Sequence, residues 1–168
     1  QGHKFGIYNG FRPGMGAVVS DADAVEFRVM PWIVWKYDID QYFYWSTTFW
    51  TDLNVFVNPL TYEERINGDG TYPVQDYLFP DESRELAGPL SSIRAKNWRR
   101  GAQDFEYLWL AEKMGLKTEA EAIVNKCVPT AVWEAKEQKD ISWSDRGYKF
   151  EEYRKQLAEL LSSGSVNK

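Results

Sequence analysis

Gln41-Tyr42-Phe43-Tyr44-Trp45-Ser46-Thr47 is the strongest β-strand sequence in the chain. Aromatic and β-branched side chains suit a pleated, half-buried surface. Upstream, Lys4-Phe5-Gly6-Ile7-Tyr8-Asn9 reads as a second short strand. Between the two, Gly10, Pro13, Gly14 and Gly16 punctuate a loop. Ser20 with Asp23 three residues on resembles a capping box, opening a helix from about Asp21. Val25, Val29, Trp32 and Ile33 fall on its inward side. Pro31 has no N–H to donate and should kink that helix or split it in two. Residues 10–40, 31 in all, separate the two strand sequences, a spacing that suits a parallel crossover unit. Both strands read as buried on both faces, as parallel strands are. Two parallel strands alone leave two bare edges. The expectation is therefore the end of a larger α/β sheet or barrel. Its other strands would come from an N-terminal part or from a partner chain.

Downstream, residues 48–90 show no clear period and form a long loop segment with turn signals at Asn67-Gly68-Asp69-Gly70. Its aromatics, among them Trp50, Phe56, Tyr62 and Tyr72, argue for order. Ser91 or Ser92 can cap a long helix to Met114, with Gly115 as its stop. Trp98, Ala102, Phe105 and Trp109 form the apolar stripe of that helix. Gly101 within it is unfavourable unless a close neighbour needs the space. Thr118 with Glu121 resembles a second capping box for a helix to about Lys126, ended before Pro129. Further helices are expected near 131–139 and from about Phe150 to Leu161. The division is thus a strand–helix region over 1–115, a helical tail over 116–162 and a disordered end at 163–168.

The chain has 168 residues, 43% apolar and 27% charged, as in globular proteins. A net charge of −5 speaks against a nucleic-acid partner, which requires clustered Lys and Arg. The local group Arg94, Lys96, Arg99 and Arg100 is followed by Asp104 and Glu106 and reads as a solvated helix face. No apolar run is long enough for a membrane span, so no membrane partner is expected. Cys127 is the one cysteine and His3 the one histidine, so no metal or cofactor site is expected and a Ser-His-Asp triad is improbable. The chain starts Gln1-Gly2 and shows no signal sequence, so it is either processed or a piece of something longer. Localisation stays open. The compositional excess is aromatic, with eight Trp, ten Tyr and nine Phe. Such rings pack in cores, and they stack on sugars and bases. Without a basic surface, carbohydrate is the favoured partner.

Adjacent carboxylates occur at Glu63-Glu64, Asp81-Glu82 and Glu151-Glu152. Paired carboxylates serve glycoside hydrolysis, but all three read as solvated loops or helix turns. The Asn67–Gly70 turn lacks the acidic spacing of a calcium loop. Gly10 to Gly16 lacks the Lys-Ser/Thr of a phosphate loop. Trp45 is more informative, because ligands of parallel α/β folds bind at the C-terminal ends of the strands. Tyr44 and Trp45 point in opposite directions, so one of them faces inward.

The order of motifs is specific. Tyr8-Asn9-Gly10-Phe11-Arg12-Pro13 is followed by Glu26-Phe27-Arg28, Pro31-Trp32-Ile33-Val34-Trp35-Lys36-Tyr37 and Tyr42-Phe43-Tyr44-Trp45. Then come Asn67-Gly68-Asp69-Gly70, Tyr72-Pro73, Gly88-Pro89-Leu90-Ser91-Ser92-Ile93-Arg94 and Arg100-Gly101-Ala102-Gln103-Asp104-Phe105-Glu106-Tyr107-Leu108. Over about residues 5–115 this resembles the C-terminal region of glycoside hydrolase family 123 and related TIM-barrel glycosidases. The chain departs from the family at Gln41, where Gly is usual, and in a longer, more polar loop from Val74 to Ala87. The resemblance implies the C-terminal portion of a (β/α)8 TIM barrel, its last two strand–helix units, followed by a helical tail.

It also implies part of a glycoside hydrolase acting on a terminal 2-acetamido sugar, a β-N-acetylgalactosaminide by family analogy. In that chemistry the substrate's acetamido oxygen attacks the anomeric carbon, and an adjacent Asp-Glu pair orients the acetamido group and donates the proton. The pair lies upstream of the matched region, so no catalytic residue is assigned within this chain. The competing reading is a non-catalytic carbohydrate-binding or structural module derived from the same barrel. Candidate sugar contacts are Trp45, with Tyr44 as the alternative, and Asn9 at the end of the first strand. Asn67 and Asp69 are loop candidates. Arg12 reads as a brace for a carboxylate.

Overall fold

A computed structural model describes residues 4–8, 14–17, 22–44, 71–72, 90–91, 93–140 and 142–166. Strand β1 (Gly6–Tyr8) pairs in parallel with β2 (Gln41–Phe43), with Ile7 opposite Tyr42. Between them lies helix α1 (Glu26–Lys36). A second ribbon joins β3 (Thr71–Tyr72) and β4 (Leu90–Ser91) in antiparallel fashion. Three helices follow, α2 (Ile93–Lys113), α3 (Lys117–Cys127) and α4 (Gly147–Val166). Two short 3-10 turns, Val132–Glu134 and Gln138–Asp140, stand between α3 and α4.

The parallel strand–helix–strand order is as the sequence implies, but the barrel expectation is overturned. A barrel strand is covered on both faces, by packed interior and by outer helices. Here Ile7 and Tyr42 pack toward the helices, while Tyr8 and Phe43 are each 60% exposed and stack on one another at 5.3 Å. The largest buried side chains, Trp32, Phe27, Phe150, Ile33, Leu108 and Leu157, belong to helices. The described residues are therefore mostly helical, with four α-helices packed on one another and only short two-stranded ribbons. They do not form the last two strand–helix units of a TIM barrel. Helices α3 and α4 share the core of α1, through Val124, Cys127, Phe150 and Leu157.

Local expectations fare unevenly. Val25, Val29, Trp32 and Ile33 are buried as their spacing requires. Helix α1 begins at Glu26 rather than near Asp21; Val25 caps it without a side-chain bond, and the Glu26 N–H donates to the Asp23 carbonyl at 2.9 Å. The proposed cap Ser20 lies outside the described residues. Pro31 does not split the helix. The bond it deletes, to the Phe27 carbonyl, lies near the helix start, and packing against α2 holds the line. Thr118 lies inside α3, whose cap is Leu116 without a side-chain bond. Gly115 ends α2 with φ +80°, the left-handed stop expected of it. The helix expected near 131–139 is replaced by the two 3-10 turns, and α4 continues to Val166, past the point where a frayed end was expected.

Candidate functional site

Helices α1 and α2 meet where Gly101 removes a side chain. A Cβ there would lie 2.7 Å from the Arg28 carbonyl oxygen and 3.1 Å from the Pro31 Cδ. The close neighbour that would justify this glycine is thus the backbone of α1. Such an approach draws one side of α2 against α1 and leaves the adjacent side to form the wall of a groove. Met30, Pro31 and Val34 from α1, Trp98, Ala102, Phe105 and Glu106 from α2, and Tyr42 from β2 line a cavity of about 210 Å³.

Trp98 is the hub of its aromatic wall. Its ring centroid lies 5.7 Å from Phe27, 5.9 Å from Tyr42 and 5.9 Å from Tyr44, all tilted or edge-on. These are favourable aromatic geometries, and they hold the indole in one orientation. Burial pushes the Tyr42 hydroxyl pKa upward, with the neighbouring Tyr44 adding to the effect. The Tyr42 hydroxyl is buried and has no hydrogen-bond partner among the described residues. An orphan of this kind is unfavourable by roughly 1–3 kcal/mol.

Beneath the groove an ion network locks the helices. Asp104, fully buried on α2, accepts from Arg28 Nε at 2.8 Å, the Trp32 indole at 3.1 Å and Arg154 Nη1 at 2.8 Å. Arg28 also reaches Glu151 on α4 at 2.6 Å, and Arg100 donates to both Glu151 oxygens at 3.0 and 2.7 Å. The Arg100 hydrogen bonds, with the one from Arg28, lower the Glu151 carboxyl pKa to about 2 against the pull of burial. The second buried acid, Glu26, accepts from the Ala17 N–H at 2.9 Å and the Trp143 indole at 3.1 Å. Asp104 and Glu151 thus join helices, and Glu26 ties the segments at Ala17 and Trp143 to α1. Burial raises the Cys127 thiol pKa well above its usual value, which leaves it an inert packing group.

The sequence-derived candidates divide. Tyr44 is described, half-buried, and set against Trp98 at the groove margin. Trp45, Asn9, Asn67, Asp69 and Arg12 lie outside the described residues, as do Glu63-Glu64 and Asp81-Glu82. Glu151 is held by arginines and Glu152 by Lys149 at 2.8 Å, so that pair forms two separate ion pairs. Of the expected apolar stripe Trp98, Ala102, Phe105 and Trp109, the first three line the groove, with Trp98 also packed against the core, and Trp109 is 45% exposed. The buried line of α2 is Gly101, Asp104, Leu108 and Ala111. The signal that could have found it was Gly101 three residues before Asp104, a gap and a charge on one helix face.

Chemically, the described residues of the groove offer flat apolar rings and one carboxylate, Glu106. Such a surface can cover the C–H face of a ring-shaped polar ligand and accept one hydrogen bond. Among the described residues no three His, Cys, Asp or Glu side chains gather as metal ligands, and no helix is long and apolar enough to cross a membrane. Compared with known proteins, the chain matches no family model and no curated protein.

Proposed function

We propose that this chain is part of a glycoside hydrolase acting on a terminal 2-acetamido sugar, a β-N-acetylgalactosaminide by the motif resemblance. In this reading it supplies a sugar-stacking surface, and the catalytic Asp-Glu pair lies outside it. The observation that carries it is the Trp98 groove, with Tyr42 and Tyr44 against the indole at the exit of β2. A fixed indole beside an apolar floor suits a pyranose face. The ordered motifs over about residues 5–115 supply the substrate class. The reading rests on those motifs and on the groove, not on barrel architecture.

One observation favours the alternative of a non-catalytic carbohydrate-binding module: among the described residues, Glu106 is the single acid lining the groove. Both readings share the groove, and activity separates them. In the complete protein, release of an aryl alcohol from an aryl 2-acetamido-β-glycoside is the assay. The hydrolase reading expects turnover, with Trp98→Ala lowering kcat/KM roughly ten- to a hundredfold, as lost stacking of 1–3 kcal/mol dictates. A binding module shows sugar affinity sensitive to Trp98→Ala and no turnover. Neither turnover nor sugar affinity would refute both.

A further inference from the structure

Val132 has φ +50°, a left-handed backbone that a β-branched residue rarely adopts. The bonds around it hold the distortion in place. Ala131, fully buried and extended, donates its N–H to the Tyr37 hydroxyl at 2.9 Å. The Val132 N–H donates to the Gly14 carbonyl at 2.5 Å. Lys36 Nζ donates to the carbonyls of Val128 at 2.8 Å and Pro129 at 2.7 Å. Thr130 N–H donates to Ser142 Oγ at 2.8 Å. This much restraint serves no burial of the next side chain, because Trp133 is 59% exposed. Its indole instead stands edge-on to Tyr37 at 5.0 Å and to Phe5 at 6.1 Å. The Tyr37 hydroxyl in turn donates to Glu134 Oε2 at 2.6 Å, fixing an exposed carboxylate beside the indole. A strained backbone held by surrounding bonds points to function at the residue it presents.

We propose that Trp133, with Phe5 and Glu134, is a second carbohydrate-binding platform, taking a neutral saccharide unit apart from the Trp98 groove. The choice of saccharide rests on the reading given under Proposed function; the existence of the site does not. A rigid, mostly exposed indole stacks on a pyranose face, and the adjacent carboxylate accepts from a sugar hydroxyl. A quaternary ammonium ligand is disfavoured, because Lys36 Nζ already sits 5.2 Å from the Tyr37 ring centroid and would repel a second cation. An anionic ligand is disfavoured by Glu134 and by the net charge of −5.

The test is calorimetric titration of the protein with a soluble β-linked N-acetylglucosamine tetramer, and separately with choline. Wild type, Trp133→Ala, Trp133→Phe and Trp98→Ala are compared, with thermal midpoints measured for each. Expected is at least a tenfold loss of tetramer affinity in Trp133→Ala, a smaller loss in Trp133→Phe, residual binding in Trp98→Ala and no choline binding. Should Trp133→Ala fail to fold, the Trp133→Phe loss carries the test. Unchanged affinity in the Trp133 variants, with Trp98→Ala abolishing all binding, overturns this platform and leaves the groove reading standing. Choline binding lost in Trp133→Ala overturns the saccharide assignment. No tetramer binding by wild type overturns the platform as a saccharide site, while turnover of the aryl glycoside would still uphold the hydrolase reading.

Discussion

Asp104 accepts hydrogen bonds from Arg28, Arg154 and the Trp32 indole while fully buried, so three elements depend on one carboxylate. Removing its charge takes from Arg28, itself 3% exposed, its buried partner and leaves it only the half-exposed Glu151 carboxylate among the described residues. Breaking a buried pair on one side typically destabilises by about 3–5 kcal/mol. Asp104→Asn is therefore expected to lower the thermal midpoint by on the order of 10 °C, given roughly 2–4 °C per kcal/mol at this size. A midpoint within about 2 °C of wild type would show the network to be dispensable. Glu151 supplies a pH signature. Its carboxyl pKa is held at about 2, below the ordinary value of 4.5. A depressed carboxyl stabilises the fold above its unfolded pKa, and that stability disappears as pH falls from about 4.5 toward 2. Urea midpoints measured from pH 7 to pH 2.5 should fall less steeply in Glu151→Gln than in wild type. Parallel acid limbs would assign the acid sensitivity to other carboxylates. Glu151 is 46% exposed, so solvent screens its contribution and the difference should be modest.

At the scale of elements, α1 and α2 show what a sequence pattern reveals and what it hides. On α1 the inward residues are large and apolar, so Val25, Val29, Trp32 and Ile33 stand out by spacing alone. On α2 the inward line is Gly101, Asp104, Leu108 and Ala111, a gap, a charge and two aliphatics. Hydrophobic periodicity passes over that line and settles on the neighbouring aromatics, which line the groove. Of the seven residues read as one strand, Gln41–Phe43 is the paired part among the described residues, and Trp45 to Thr47 lie outside them. The turn at Val132 left no mark in the sequence, because nothing about a valine announces a positive φ. Gly101 can be tested directly. Alanine at an exposed helix position gains up to about 1 kcal/mol over glycine. Here the new Cβ would press on the Arg28 backbone. Overpacking of this kind is unfavourable by about 1–3 kcal/mol. Gly101→Ala is expected to destabilise and to perturb the groove, read as a lower thermal midpoint and altered Trp98 fluorescence. A stabilised variant would mean that α1 and α2 are not in close contact.

For the whole molecule, one core joins α1 to α4, and an ion network spans α1, α2 and α4. The aromatic excess that the composition announces is divided between that core and surface positions such as Trp98 in its groove and Trp133 on its turn. Indole NMR is the sharpest test of the proposed binding of a 2-acetamido sugar in the groove. Each of the eight Trp indole N–H groups reports its own surroundings when N-acetylgalactosamine is added. Sugar bound in the groove should give a saturable shift of the Trp98 indole and of the Ala102 and Phe105 backbone amides. The Trp32 and Trp143 indoles, bonded to Asp104 and Glu26, should stay in place. A Trp98 signal that remains fixed up to high sugar concentration, or that moves equally with an apolar additive of similar size, would contradict it.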